Sequence, residues 1–311
     1  MTGVADRVAV VTGAGSGLGR AYALELGRRG AMVVVNDIAA GAAQAVVSEI
    51  VAAGGKAAAS SETVTSRAGG RAIIDLAISA FGRIDILISN AGILRHARFE
   101  EMGEPEIDNV IDVHLKGAFH VGQPAFAAMK RQGYGRMLFT ASSSGLFGHP
   151  WQASYAAAKA GIVGLANTIA LEGKDHSILC NVIMPSARTG MTQGVDYGWK
   201  AEVTEVGATL DRLIATPTDG VDRLDPDWVV PLAIHLVSDD AATTHGVFSA
   251  CNGRYARVAI SAAPGWIAPA MPSADDIAEH WPQICDAGNL FEPSSVYDEA
   301  LDVRLALVKH T

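Results

Sequence analysis

The sequence predicts an α/β fold, a doubly wound parallel sheet with a small carboxyl-terminal appendage. Short apolar runs of strand length alternate with longer helical runs from residue 7 to residue 250, which is typical of parallel strands joined by crossover helices. The candidate ligand-binding motifs follow the carboxyl ends of the apolar runs, where the crevice of such a sheet lies. The predicted division is a nucleotide-binding and catalytic domain over 1–255 and a proline-rich subdomain over 256–311.

The composition restricts the class of protein. Of 311 residues, 49% are hydrophobic and 18% charged, which is enough apolar content to bury a large core. The net charge of −9 argues against binding of nucleic acids or anionic membranes, because these partners need basic faces. The amino terminus enters a strand at once, so we expect no signal peptide and a cytoplasmic location. Three scattered cysteines fit a reducing compartment and have no metal-ligand spacing, so no metal site is predicted.

The first predicted strand, residues 7–12, ends in a glycine-rich turn that precedes a helix. Glycines let the backbone bend tightly and approach a pyrophosphate, whose charge the amino terminus of a helix favours. The spacing G-x-x-x-G-x-G differs from the G-x-G-x-x-G fingerprint of Rossmann-like folds. We still expect five residues here to bind a dinucleotide, namely Gly13, Ser16, Gly17, Leu18 and Gly19.

A carboxylate ends the second predicted strand, residues 31–37. Asp37 could accept hydrogen bonds from both hydroxyls of an adenosine ribose, and it would repel a 2′-phosphate. Its neighbours Ser16 and Ile38 offer no positive charge that would reverse this preference. The predicted cofactor is therefore NAD. Alternatively, Asp37 only caps the helix that follows.

Other predicted strands also end in polar or helix-breaking motifs. An acid and a hydroxyl after the third strand could meet the adenine amino group. The motifs are Glu62 and Thr63 after the third strand, Asn90-Ala91-Gly92 after the fourth, and Pro185, which stops the strand 178–184. Helices are predicted over 42–53, 67–81, 105–131 and 227–237, and a final strand over 247–250 completes the sheet.

Three residues carry groups suited to proton transfer. Tyr155 and Lys159 are four positions apart in an alanine-rich run, so their side chains should lie on one face of a helix. A neighbouring ammonium favours the ionised phenol, so we expect it to lower the pKa of Tyr155 from its ordinary value of about 10. Ser142 follows the apolar run 136–140 and could hydrogen-bond the same substrate oxygen.

Together, these motifs and their order resemble the short-chain dehydrogenase/reductase family over residues 4–255. The resemblance implies hydride transfer between a nicotinamide ring and an alcohol or ketone carbon. Tyr155 would exchange a proton with the substrate oxygen, Ser142 would orient that oxygen, and Lys159 would hold the nicotinamide ribose while lowering the pKa of the tyrosine. The residues implied to line the cofactor are Asn90, Ala91, Gly92, Pro185, Ala187 and Thr189.

Several motifs resemble one branch more closely, the (3R)-hydroxyacyl-CoA dehydrogenase unit of peroxisomal multifunctional enzyme type 2. Examples are the runs 89–95, 191–193 and 281–286, the last in the predicted subdomain. Most family members have an asparagine at the position of His114, and that asparagine binds a water molecule in a proton relay. This branch has histidine at the same position. The resemblance thus implies a catalytic role for His114, although a lone histidine is more often a core residue. It also implies a homodimer or a tetramer.

The substrate side is less determined by the sequence. The segment 188–226 is rich in Gly, Thr and Asp and is predicted to form a lid or substrate loop. Its acids outnumber its bases, whereas coenzyme A phosphates favour Lys or Arg; Arg188, Lys200 and Arg212 could compensate. His149 and Trp151 lie between Ser142 and Tyr155, where they could floor an apolar pocket or belong to the core.

Three hypotheses remain. The first is an NAD-dependent 3-hydroxyacyl-CoA dehydrogenase of lipid or sterol side-chain breakdown, and the second is a dehydrogenase of a free bulky alcohol such as a hydroxysteroid or terpenoid. Only the lid and the tail separate these two small-molecule substrates. The third is a catalytically inactive nucleotide-binding regulatory protein, against which the intact Ser142, Tyr155 and Lys159 argue. The acyl chain or ring system, the direction of flux and the stereochemistry stay open.

Overall fold

A computed structural model describes residues 3–191, 198–217 and 219–309. The chain forms two compact units that divide after Arg257. None of the helices in these three ranges is both long and apolar enough to cross a membrane.

The first unit is built on an eight-stranded sheet with the order β3-β2-β1-β4-β5-β6-β7-β8. Neighbouring strands from β1 to β7 pair in parallel. The predicted doubly wound α/β fold is therefore confirmed. The strands are β1 (Val8–Thr12), β2 (Met32–Asn36), β3 (Lys56–Ser60), β4 (Ile86–Ser89), β5 (Gly135–Thr140), β6 (Ile178–Ser186), β7 (Val247–Cys251) and β8 (Arg254–Val258).

Helices cover both faces of this sheet, which explains why the central strands are apolar throughout. Every residue of β1 and of β5 is buried, as expected for strands with helices on both sides. The helices of the first unit are α1 (Gly17–Arg28), α2 (Ala40–Ala52), α3 (Arg67–Phe81), α4 (Glu104–Ile111), α5 (Gly117–Gln132), α6 (Ser143–Phe147), α7 (Ala153–Gly173), α8 (Thr204–Ala215) and α9 (Val230–Val237).

The strand register brings the functional motifs to one edge. Thr12 lies opposite Asn36, and Asn36 lies opposite Ser60. Because parallel strands in register end at the same level, the segments that follow β1, β2 and β3 begin side by side. The segments after β4, β5 and β6 continue this row, so the sequence motifs converge on the carboxyl edge of the sheet.

The structure corrects the helix predicted over 105–131. Here α4 and α5 are separated by a π-helical turn, Asp112–Lys116. One extra residue in a turn rotates the side chains that follow, and such turns are frequent at functional sites. The turn contains His114, whose side chain is buried.

Two strand predictions also change. β6 continues through Pro185, which lies opposite Ala250 of β7. A proline is tolerated there because the pairing of β6 with β5 ends at Ile183, so β6 has only one partner at that position. Asn252 and Gly253 both have positive φ angles, 51° and 77°. They form the two-residue turn that leads into β8, a strand that the sequence analysis missed.

The predicted loop over 188–226 contains a helix, α8. The Gly, Thr and Asp content of the whole segment concealed a run of good helix formers between Leu210 and Ala215. The predictions that concern residues 192–197 and residue 218 lie outside the described residues. The second unit contains α10 (Ala274–Glu279), α11 (Trp281–Ile284) and α12 (Val296–Lys309), and a bridge between Ala262 and Phe291.

Candidate active site

A cavity of about 520 Å³ opens at the carboxyl edge of the sheet. It is lined by thirteen of the residues that the sequence analysis selected. These are Gly13, Ser16, Gly17, Leu18, Asp37, Asn90, Gly92, His114, Tyr155, Lys159, Pro185, Ala187 and Thr189. The others lie outside its lining: Gly19, Glu62, Thr63, Ala91, Ser142, His149 and Trp151.

The glycine turn after β1 is packed so tightly that side chains are excluded. Gly13 and Gly17 have φ angles of 62° and 52°, a region that residues with a Cβ rarely adopt. A Cβ on Gly19 would lie 2.2 Å from the carbonyl oxygen of Gly13, and one on Gly13 would lie 2.8 Å from the Cα of Ala91. Gly19 and Ala91 thus pack against the backbone of Gly13 and do not line the cavity. The turn leads into the amino terminus of α1, and this cradle fits a pyrophosphate.

Asp37 fits both interpretations that the sequence left open. Its Oδ1 accepts a hydrogen bond from the backbone N–H of Ala39 at the start of α2, at 2.9 Å. Its Oδ2 accepts one from the N–H of Gly15 in the glycine turn, at 3.0 Å. Each carboxylate oxygen keeps a further acceptor site, and the side chain borders the cavity. Asp37 can therefore cap the helix, fix the turn and still accept from a ribose diol.

Asn90 fastens β4 to the turn after β1. Its Nδ2 donates to the carbonyl oxygens of Thr12 and Gly13, at 3.1 and 3.2 Å. Thr12 Oγ1 accepts from the backbone N–H groups of Asn90 and Ala91, at 3.0 and 3.1 Å. Thr12 was predicted only to end the first strand, with no role of its own. A hydroxyl at the end of a buried strand was the signal that could have identified it.

Glu62 and Thr63 follow β3, as predicted, but they do not reach the cavity lining. The carbonyl oxygen of Glu62 accepts from Asn36 Nδ2 at 2.8 Å. The hydroxyl of Thr63 is 2.9 Å from that of Thr65. Their predicted contact with an adenine stays a prediction.

Tyr155 and Lys159 occupy one face of α7, one turn apart. The Nζ atom of Lys159 lies 5.6 Å from the centre of the Tyr155 ring and donates to the carbonyl oxygen of Thr140 at the end of β5. Only 3% of Lys159 is exposed, and burial lowers its pKa to about 7. A buried lysine of this kind can exchange a proton near neutral pH.

The pKa of Tyr155 differs from the expectation that Lys159 lowers it. Burial raises the pKa of Tyr155, and a hydrogen bond with Ser142 opposes this rise without cancelling it. Desolvation is the larger of the two effects on this half-buried residue. Ser142 also caps α6 by accepting from the backbone N–H of Ser144 at 3.2 Å. The structure therefore brings the predicted serine, tyrosine and lysine together.

His114 is held neutral beside this group. Its Nε2 lies 3.0 Å from the backbone nitrogen of Ile93 and 2.7 Å from the carbonyl oxygen of the same residue. The ring meets that of Tyr155 edge to face at 5.1 Å. Burial, and then the charge of Lys159, lower its pKa to about 3. A Cβ on Gly92 would lie 2.4 Å from His114 Cε1, so the Asn90-Ala91-Gly92 motif also makes room for this ring.

His149 and Trp151 belong to a cluster outside the cavity lining. The ring of His149 packs against Trp199 at 5.4 Å and lies 6.2 Å from that of His96. Trp151 has a φ of 62° and lies under the guanidinium of Arg98 at 5.6 Å. Trp199 is 2% exposed and was missed, because nothing in the surrounding polar sequence distinguishes an anchored tryptophan from a loop residue.

The bases of the predicted lid are largely engaged by acids. Arg188 pairs with Asp222 at 2.7 Å, and Lys200 pairs with Asp211. These two bases are thus less available to an anionic substrate than the sequence alone suggested.

The model of the short chain dehydrogenase family matches residues 7–197. The chain belongs to the short-chain dehydrogenase/reductase family. It is a nicotinamide-dependent oxidoreductase that acts on small molecules. This confirms the predicted enzyme class.

Individual relatives extend the similarity to the whole chain. This chain is 38% identical to mouse peroxisomal multifunctional enzyme type 2 over 306 residues. The match covers 94% of this chain and 38% of the mouse protein. The chain is 40% identical to hydroxyacyl-CoA dehydrogenase ChsB1 of Mycobacterium tuberculosis, covering 79% of this chain and 77% of that one. The crystal structure of a short chain dehydrogenase from Mycobacterium avium matches with a TM-score of 0.77 at 34% identity, covering 93% and 99% of the two chains. The chain thus spans well under half of the mouse relative.

Proposed function

We propose that this chain is an NAD-dependent dehydrogenase that oxidises the secondary alcohol of a 3-hydroxyacyl-CoA in lipid or sterol side-chain breakdown. The observation that carries the proposal is the single cavity that joins Asp37 and the glycine cradle to Tyr155, Lys159 and His114. The identity to a hydroxyacyl-CoA dehydrogenase supports the substrate class.

The cofactor side favours NAD over NADP. Asp37 supplies a carboxylate where a 2′-phosphate would lie, and this repels the phosphate. Its neighbour Ile38 is 76% exposed and uncharged. Gly13, Gly17 and the start of α1 would hold the pyrophosphate. We expect Asp37→Ala to reduce the preference for NAD over NADP about tenfold or more; an unchanged ratio of kcat/KM values would refute the ribose role.

In the proposed reaction the phenol of Tyr155, protonated at neutral pH because burial raises its pKa, accepts the proton of the substrate hydroxyl as it gives up its own. The nearby Lys159 is the group that can take up the proton that leaves the phenol. NAD, when bound, supplies the acceptor for the hydride that leaves the carbinol carbon. Ser142 orients the substrate oxygen towards the phenol through its hydroxyl. Lys159 borders the same cavity and would hold the cofactor ribose, and with a pKa of about 7 it can take up or release a proton at neutral pH. The alcohol thereby loses one hydride and one proton and becomes a ketone.

His114 serves as a fixed neutral group in this arrangement. Its pKa of about 3 keeps it uncharged beside Lys159 at working pH. Among the described residues, its Nδ1 atom is buried and has no hydrogen-bond partner. A buried polar atom requires a partner, and a water held between His114 and Lys159 would satisfy it and link the lysine to solvent.

A free bulky alcohol is the second candidate substrate. It is favoured by the pairing of Arg188 and Lys200 with Asp222 and Asp211, which leaves fewer free charges for coenzyme A. An apolar alcohol would not need them.

The deciding experiment compares initial rates of NAD reduction with a 3-hydroxyacyl-CoA, a hydroxysteroid and the free 3-hydroxy acid. We expect the thioester to give the highest kcat/KM. Turnover only of substrates that lack coenzyme A would rule out the thioester and favour the free bulky alcohol as the substrate.

A further inference from the structure

Arg95 places an exposed guanidinium on the cavity lining. Its Nη1 donates to the carbonyl oxygen of the adjacent Leu94 at 2.9 Å. Within the described residues it forms no ion pair with a carboxylate. The other charged groups of the lining are Asp37, which is engaged by two backbone N–H groups, and the buried Lys159. Among the described lining residues, Arg95 is therefore the accessible cation.

Nearby bases differ from Arg95 because acids compensate them. Arg98, three residues further on, pairs with Glu101 at 3.0 Å and also with Glu202. Arg188 and Lys200 have the partners described above. A guanidinium with its fork free can instead bind a carboxylate or phosphate through two parallel hydrogen bonds.

The surroundings of Arg95 place it beside the reacting groups. The next residue, His96, contacts the side chain of Gln152 at 2.9 Å, and the N–H of Ala97 donates to the carbonyl oxygen of Trp151 at 3.1 Å. Gln152 is the residue that directly precedes α7, the helix of Tyr155. The glycine cradle and Asp37, by contrast, follow β1 and β2. Arg95 thus lies on the side of the cavity where the substrate oxygen is activated.

We infer that Arg95 determines specificity by binding an anionic group of the substrate at a distance from the reacting alcohol. The inference rests on the proposed function and deepens it. The anion is a phosphate or a carboxylate, carried either by the coenzyme or by the acyl chain. Because the chain has a net charge of −9, a local cation is needed to attract an anionic substrate to this cavity.

The test uses Arg95→Gln, Arg95→Lys and a matched control, Arg131→Gln. Arg131 is exposed in the last turn of α5, which leads to the amino end of β5 at the opposite edge of the sheet. Two substrates share one 3-hydroxyacyl group, as the coenzyme A thioester and as the neutral N-acetylcysteamine thioester. The third is an N-acetylcysteamine thioester of the same acyl chain with a carboxylate added at its far end. KM and kcat are measured for each at low and high salt.

We expect Arg95→Gln to raise KM about tenfold for an anionic substrate and to leave kcat almost unchanged. Arg95→Lys should recover part of this loss, and Arg131→Gln should resemble the parent protein. An effect confined to the coenzyme A thioester identifies its phosphates as the anion, and an effect confined to the terminal carboxylate identifies the acyl chain. Equal changes for the neutral thioester, or a higher KM for NAD alone, would overturn the inference.

Calorimetric titration of free coenzyme A into the protein with NADH separates this inference from the proposed function. Coenzyme A binding that Arg95→Gln weakens about tenfold, with no turnover of the thioester by the parent protein, would refute the proposed oxidation of a 3-hydroxyacyl-CoA and keep the anion site. Turnover by the parent protein with no change in Arg95→Gln, in either KM or binding, would refute the anion site and keep the activity.

Discussion

The two sides of the cavity are held by different kinds of contact. On the cofactor side, positive φ angles at Gly13 and Gly17 and backbone contacts within the turn fix the geometry. On the substrate side, contacts join residues far apart in the chain, such as Arg98 with Glu202 and Arg188 with Asp222. The cofactor side is thus fixed by backbone geometry and by part-buried hydrogen bonds such as those between Asn90 and Thr12, whereas the substrate side depends on ion pairs between exposed side chains. This difference separates the general chemistry of the site from its specificity.

The reacting groups between the two sides should give the largest effect. We expect Tyr155→Phe to lower kcat by about 10²- to 10⁴-fold, the usual contribution of a general acid or base. Binding of NADH, followed by fluorescence, should persist because the cradle is intact. The control is Tyr134→Phe. Tyr134 directly precedes β5, and its hydroxyl donates to Asp239, so this variant should retain activity. Full turnover by Tyr155→Phe would show that Tyr155 is not the general acid or base.

A methyl group in the glycine turn should disrupt the backbone geometry of the cofactor side. In Gly19→Ala the new Cβ would meet the carbonyl oxygen of Gly13 at 2.2 Å. The resulting strain should lower the free energy of unfolding by ~1–3 kcal/mol and abolish NADH binding.

Gly41→Ala is the matched control for this substitution. A Cβ on Gly41, in the first turn of α2, has no atom within 4 Å. The change should leave NADH binding intact and stabilise the protein by up to ~1 kcal/mol. Equal loss of NADH binding in both variants would show that the contact of the new Cβ with the carbonyl oxygen of Gly13 is not the cause of the loss.

The buried lysine should make stability depend on pH. The folded chain releases the Lys159 proton at a pKa of about 7, whereas the unfolded chain keeps it to about 10.4. Between these values the unfolded state binds more protons, so raising the pH favours folding by ~1.4 kcal/mol per pH unit at most. Urea unfolding of the cofactor-free protein and of Lys159→Met across this range should differ by that slope. Parallel curves would show that Lys159 is not buried as described.

The long-range pair of the substrate side should contribute least to stability. A double-mutant cycle on Arg98→Gln and Glu202→Gln should give a coupling free energy of ~1 kcal/mol or less, because both side chains are well exposed. Its effect should fall on the KM for the alcohol and not on the KM for NAD. A change confined to NAD would contradict the division into two sides.

The sequence predicted the parts of the site that depend on local rules. The glycine turn, Asp37 and the spacing of Tyr155 and Lys159 each follow from backbone geometry or helical periodicity, and the cavity brings them together. The π-helical turn at His114 and the anchored Trp199 were not predicted, because each depends on packing that the sequence pattern does not show. Helix α8 was missed for another reason, because the Gly, Thr and Asp content of the whole segment concealed its helix formers. The raised pKa of Tyr155 was missed for a related reason. Spacing identifies a charged neighbour, but only the folded chain reveals how completely both groups are buried.

The most direct test of the central claim follows one hydrogen atom. A 3-hydroxyacyl-CoA that carries deuterium on the carbinol carbon is incubated with the protein and NAD, and the NADH formed is analysed by mass spectrometry. The account predicts one deuterium in the NADH and a slower reaction than with the unlabelled substrate. NADH without deuterium, or release of the label into water, would contradict hydride transfer from this alcohol and with it the proposed function.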